Sequence, residues 1–193
     1  LTGSSHGDWV RWYATFATAP LVLGYSTSSR FAADVRSTPW YDVLRAPGIR
    51  VGMTDPNLDP KGALTLAALD AAAKAYHLPT GYAASVQTRA QVFPEQDLLG
   101  RLESGQLDVG FFYTNEAVPA HLHTVRLGRV HEAATFTVTV LERAPDPVGG
   151  AAFVRYLLTA ARPALRAGGL LTLTPTLHGP VAAVPTVLRA LLH

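Results

Sequence analysis

The reading of this chain turns on Thr54-Asp55-Pro56-Asn57-Leu58-Asp59-Pro60-Lys61-Gly62. It lies between a short apolar strand expected at residues 49–53 and an alanine-rich helix expected at 64–76, where Leu66, Leu69 and Ala73 recur at helical spacing. Each proline holds the aspartate before it in an extended conformation. The first N–H groups of the helix that follows have no intrahelical partners and point at whatever occupies the turn. A strand that ends in two Asp-Pro steps and a glycine, then opens a helix, builds an anion site. A plain strand-to-helix turn uses Asp and Pro for local reasons as well, so the segment needs support from elsewhere in the chain.

Two further groups supply it. Glu95-Gln96-Asp97-Leu98 opens another helix, expected at 95–103 and stopped by Ser104-Gly105. A carboxylate in a first turn also has a structural account, since the helix dipole favours it there. Tyr113 closes a buried strand at 107–113 and would by default be a core or rim tyrosine. All three groups nevertheless fall at the carboxyl edge of strands or the start of helices, where open α/β sheets bind ligands. Outward from them, strands are expected at 19–25, 124–127 and 134–141. Helices are expected at 39–44, 151–159, 163–167 and 187–192. Strands alternating with helices imply an α/β fold with a mostly parallel sheet.

The bulk properties narrow the function classes. A chain of 193 residues, 48% apolar and 16% charged, can form one domain or two small lobes with a real core. No run approaches the roughly 20 apolar residues that span a bilayer. No basic region followed by an apolar stretch marks a secretory signal, which leaves the compartment open. There are no cysteines, so disulfides, thiolate metal sites and a cysteine nucleophile are excluded. The net charge of +2 comes from scattered arginines, with Lys61 and Lys74 the only lysines, and no nucleic-acid footprint results. His121, His123 and His131 lack metal-ligand spacing on a helix. Ser26-Thr27-Ser28-Ser29 lacks the glycine-rich cradle and lysine of a phosphate loop. There is no Gly-x-Ser-x-Gly elbow, no base–nucleophile pair and no helix-turn-helix, so neither an enzyme nor a DNA-binding regulator is expected.

The runs Trp40-Tyr41-Asp42-Val43-Leu44 and Arg50 through Gly62 resemble the tungstate/molybdate-binding proteins of ABC importers. So do Pro94-Glu95-Gln96-Asp97-Leu98 and Leu102 through Asp108, followed by Phe112-Tyr113. Upstream, Asp8-Trp9 and Phe16-Ala17-Thr18 through Gly24-Tyr25 are similar to the strand that crosses between lobes in that family. The resemblance covers nearly the whole chain. It implies a type II periplasmic-binding-protein fold, two α/β lobes joined by two crossing strands that close on a small oxyanion. Lobe 1 would hold residues 1–25 and 134–193, and lobe 2 residues 26–133. The function implied is capture of molybdate or tungstate in the periplasm or outside the cell, at a membrane permease, with no cofactor and no chemistry on the ligand. Another small oxyanion such as sulfate or phosphate, or a ligand-sensing role in a regulator, is the alternative.

The ligand positions carry over to Asp59 and Glu95, whose carboxylates would approach the molybdenum or tungsten atom, and to Tyr113, which would donate to an oxyanion oxygen. Backbone N–H groups near Lys61, Gly62 and Glu95 would add donors. One departure stands out. Family members carry roughly 80–100 residues ahead of the first crossing strand, within the size of a domain, and these hold two serine-containing anion loops. Lobe 1 is therefore expected to be incomplete, with the segment removed, lost along with binding, or supplied by another chain in a homo-oligomer. Gly3-Ser4-Ser5 is superficially like such a loop but sits in the wrong place.

Overall fold

The computed structural model describes residues 7–192, so Gly3-Ser4-Ser5 lies outside the described residues. In chain order the elements are β1 (Tyr13–Tyr25), α1 (Ala32–Ser37), α2 (Trp40–Val43), β2 (Val51–Met53), α3 (Pro60–Ala75), α4 (Tyr82–Arg89), β3 (Gln91–Val92) and α5 (Glu95–Glu103). Then come β4 (Val109–Tyr113), α6 (Thr114–Ala117), β5 (Thr124–Arg126), β6 (Ala133–Val138), α7 (Pro147–Leu158), α8 (Arg162–Ala167) and β7 (Leu171–His178). The chain divides into two compact units, Pro20–Ala134 and the remainder on either side of it. β1 and β6 run through the two division points. No helix among the described residues is long and apolar enough to cross a membrane.

In the Pro20–Ala134 unit the strand order is β3-β2-β4-β1-β5. β2 pairs in parallel with β3 and with β4, while β1 runs antiparallel to β4 and β5. β2 and β4 are buried on both faces and read as continuous apolar runs, as parallel strands between helical layers must. Successive residues of β4 serve opposite faces. Phe111 packs with Trp40, Leu69 and Tyr82, and Phe112 with Leu98, Leu102 and Leu107. The stripe Thr65, Ala68, Leu69, Ala72 is the buried face of α3. Its alanines bring the helix backbone close to the sheet, and burying Leu69 stabilises by about 2 kcal/mol.

Arg50 and Asp108 clamp the starts of β2 and β4. Asp108 accepts from Arg50 Nε at 3.0 Å, Arg50 Nη2 at 2.8 Å, the Arg50 backbone N–H at 2.8 Å and Ser29 Oγ at 2.7 Å. Burial by itself raises this carboxyl; the hydrogen bonds from Arg50 and Ser29 reverse that and hold it below the usual range. A depressed folded-state carboxyl stabilises at neutral pH and loses that contribution as pH falls through its folded value. Asp108→Asn is accordingly expected to cost about 1–2 kcal/mol at neutral pH. Urea midpoints should then show the gap to the parent closing in acid.

The other unit is built on the first half of β1, which pairs antiparallel with β7 from Tyr13↔His178 to Thr18↔Leu171, with a bulge between Thr15 and Ala17. Its core joins Trp12, Phe16 and Ala17 to Val154 and Leu158 of α7 and to Leu188. Several elements depart from the sequence expectation. The first strand begins at Tyr13 rather than at residue 19, because pairing with β7 extends it. β7 itself was not expected; its Leu-Thr-Leu-Thr alternation is strand-like, and Pro175 suits an edge position. The last helix, expected at 187–192, is a 3-10 segment, Thr186–Leu191, opened by Pro185. α1, α4 and β3 were also not expected; α1 and α4 are short and gain their order by burying Ala32, Val35, Tyr82 and Val86 in the core, and β3 by pairing with β2.

Candidate functional site

β2 ends at Met53, and the chain turns at Asp55, whose Oδ1 accepts the Asn57 N–H at 2.8 Å while its carbonyl accepts from Asp59 at 2.8 Å. Asp59 is extended (φ −131°, ψ 125°), as the following proline requires, and caps α3 by accepting the Lys61 N–H at 2.7 Å. One of the expected anion donors, the Lys61 N–H, is therefore held by Asp59 itself. Gly62 follows because nothing larger fits: a Cβ there would meet Thr54 O at 2.5 Å and Asp55 C and Pro56 N at 2.7 Å. All three are backbone atoms, so the neighbour cannot rotate away. The first turn of α3 rests directly on the Thr54–Pro56 backbone.

Lys61 is only 1% exposed. Its Nζ donates to Glu116 Oε1 at 2.8 Å and to Glu95 Oε1 at 3.2 Å, and it stands 5.7 Å from the ring centres of Phe112 and Tyr113. Glu95 is the first residue of α5 and half exposed; Glu116, on α6, is mostly covered and also accepts the Tyr113 N–H through Oε2 at 2.8 Å. Burial and a hydrogen bond with Glu95 push the Glu116 carboxyl up. Glu95 is pushed down by that hydrogen bond and by Lys61, and stays ionised. The Tyr113 hydroxyl is pushed up to about 12, first by burial and then by the charges of Asp59, Glu116 and Glu95.

A cleft of about 420 Å³ opens here, lined by Thr54, Asp55, Asp59, Phe93 and Glu95 among others. Asp59 and Glu95, 36 residues apart in sequence, thus face one cavity. Tyr113 lies within electrostatic reach of both. Sequence reasoning missed Glu116, although a glutamate three residues after the strand end, opening a short helix, is a capping-box spacing. It also missed the Lys61 side chain, having considered only its backbone. Elsewhere, Ser29 is committed to Asp108, and His123 and His178 pack on Tyr25 and Tyr13. A larger groove of about 720 Å³ on α7, lined by Val148, Tyr156 and Val187, is mainly apolar and lies within the other unit.

Residues 4–171 match the family described as bacterial extracellular solute-binding protein. The chain is 38% identical over 110 residues to a protein of Haloferax volcanii provisionally named an ABC transporter molybdenum-binding protein, covering 56% of this chain and 36% of that one. It is 25% identical over 145 residues to the molybdate/tungstate-binding protein of Thermococcus kodakarensis, covering 62% and 41%. It thus spans about two fifths of the length of these curated relatives. Among solved structures, the periplasmic molybdate-binding protein of Azotobacter vinelandii superposes with a TM-score of 0.63 at 17% identity, over 86% of this chain and 71% of that one. The fold is that of the type II periplasmic binding proteins, and with a family match across most of its length the chain belongs to the bacterial extracellular solute-binding proteins.

Proposed function

We propose that this chain binds molybdate or tungstate outside the cytoplasm and delivers it to the permease of an ABC importer, with Asp59, Glu95 and Tyr113 as ligand contacts. The observation that carries the reading is the convergence of the Asp59 and Glu95 carboxylates on one cleft at the starts of α3 and α5. Lys61 is shared between Glu95 and Glu116 and offsets part of their charge, and Asp59 adds a third carboxylate. Carboxylates outnumber the one ammonium, so a tetrahedral dianion gains nothing there from Coulomb attraction alone. Like charges about 4 Å apart in a partly dry cleft cost several kcal/mol. A molybdenum or tungsten centre escapes that penalty by expanding its coordination and accepting carboxylate oxygens, the hard donors it prefers. Sulfur in sulfate does not expand its coordination in this way. The names of the Haloferax and Thermococcus relatives support the same ligand class.

Titration calorimetry of the chain with tungstate, molybdate and sulfate in parallel is the test. Heat of binding at micromolar or lower concentration for the first two, with none for sulfate, is the expected outcome. Equal binding of sulfate would remove the case for carboxylate coordination.

A further inference from the structure

Buried polar atoms in folded proteins almost always have a partner. Among the described residues, five side-chain polar atoms are buried without one, and four of these belong to Thr54, Tyr113, Thr114 and Asn115. Thr54 and Tyr113 lie at the carboxyl ends of β2 and β4, neighbouring parallel strands in the register Val51↔Val109 and Gly52↔Gly110, and Thr114 and Asn115 open α6 just beyond. Thr54 is the most deeply covered of them, 1% exposed, and it lines the same cleft as Asp59 and Glu95. Its position is rigid. Its carbonyl is in the backbone packing that forbids a side chain at Gly62, and its β-branched side chain has little rotamer freedom.

A fixed hydroxyl that donates to nothing in the protein is costly unless something else accepts from it. Resting on the oxyanion reading of the cleft, we propose that the Thr54 hydroxyl donates a hydrogen bond to an oxygen of the bound anion, a ligand contact additional to Asp59, Glu95 and Tyr113. The chemistry suits the role. Asp59 and Glu95 are acceptors and can serve only the metal atom, so the oxyanion oxygens need donors. Thr54 supplies one from the end of β2, as Tyr113 does from the end of β4.

Thr54→Val keeps the shape and removes the donor. For an unpartnered hydroxyl this exchange leaves the unliganded protein as stable as before or more so. Tungstate affinity, measured by calorimetry, is expected to fall by about tenfold to a hundredfold, the usual range for a hydrogen bond to a charged acceptor. Thr54→Ser should recover it to within a few-fold. If Thr54→Val binds tungstate as tightly as the parent, the contact does not exist. If the valine variant loses melting temperature without ligand, the hydroxyl already has a structural partner and the proposal is overturned. An unaltered chain that binds neither tungstate nor molybdate overturns the oxyanion reading itself, which the first two outcomes leave intact.

Discussion

Lys61→Met is expected to destabilise the protein by about 3 kcal/mol at neutral pH, the low end for breaking a buried ion pair by deleting one partner. Lys61 is the cation of the cluster, with Glu95 and Glu116 both within hydrogen-bonding distance of its Nζ. Methionine fills similar space but leaves those two carboxyls facing each other. Relief comes from two sides, which is why the loss stays at the low end. Glu95 is half exposed and can turn to water, and Glu116, whose carboxyl is already pushed up, can take up a proton. The ammonium pulls the Glu116 carboxyl down, so without it the group is pushed further up and the folded variant holds this proton to higher pH than the unfolded chain does. Stability then falls as pH rises, and the deficit relative to the parent narrows in mild acid. Urea denaturation at neutral and mildly acidic pH measures both effects. A deficit below about 1 kcal/mol, or one that widens in acid, would show that Lys61 does not compensate these carboxyls.

Asp59→Asn is expected to weaken tungstate binding by about a hundredfold, some 2.8 kcal/mol, while leaving the fold intact. Asparagine caps helices about as well as aspartate, so the hydrogen bond to the Lys61 N–H survives. What disappears is the anionic oxygen offered to a metal centre. Glu95→Gln makes the complementary change at the start of α5, and its amide oxygen can still accept from Lys61. If these carboxylates discriminate by coordination, both variants lose tungstate selectively, and sulfate, no longer repelled, binds no worse than to the parent. Unchanged tungstate affinity in both would falsify the coordination reading, whatever the fate of sulfate.

Much of the Pro20–Ala134 unit was legible in the residues. The strand at 49–53, the helix after it, the helix from Glu95 and the strand ending at Tyr113 all carry strong local signals. Two-sided apolar runs mark the buried strands, and Asp-Pro and Ser-Gly steps mark helix ends. The other unit was harder to read. β7 alternates Leu and Thr around a proline, a pattern that resembles an irregular tail until the first half of β1 is seen beside it. The segment at Thr186–Leu191 has the composition of a helix and is 3-10 in the fold.

The candidate site divides along the same line. Local chemistry determined the Asp59 cap, the extended backbone of Asp59 before its proline and the placing of Glu95 in a first turn. Each follows from φ restrictions or orphan N–H groups within a few residues. No local rule brings Lys61 to Glu95, 34 residues on, or to Glu116, 55 residues on. Those contacts exist because β2 and β4 pair in parallel with Gly52 beside Gly110, which sets the ends of both strands side by side. The charge state of the cluster, and the isolation of the Thr54 hydroxyl beside it, are consequences of that pairing and of the low dielectric it creates. A sequence specifies which groups a turn can present; which of them meet, and with what charge, depends on strand register across distances that local periodicity does not encode.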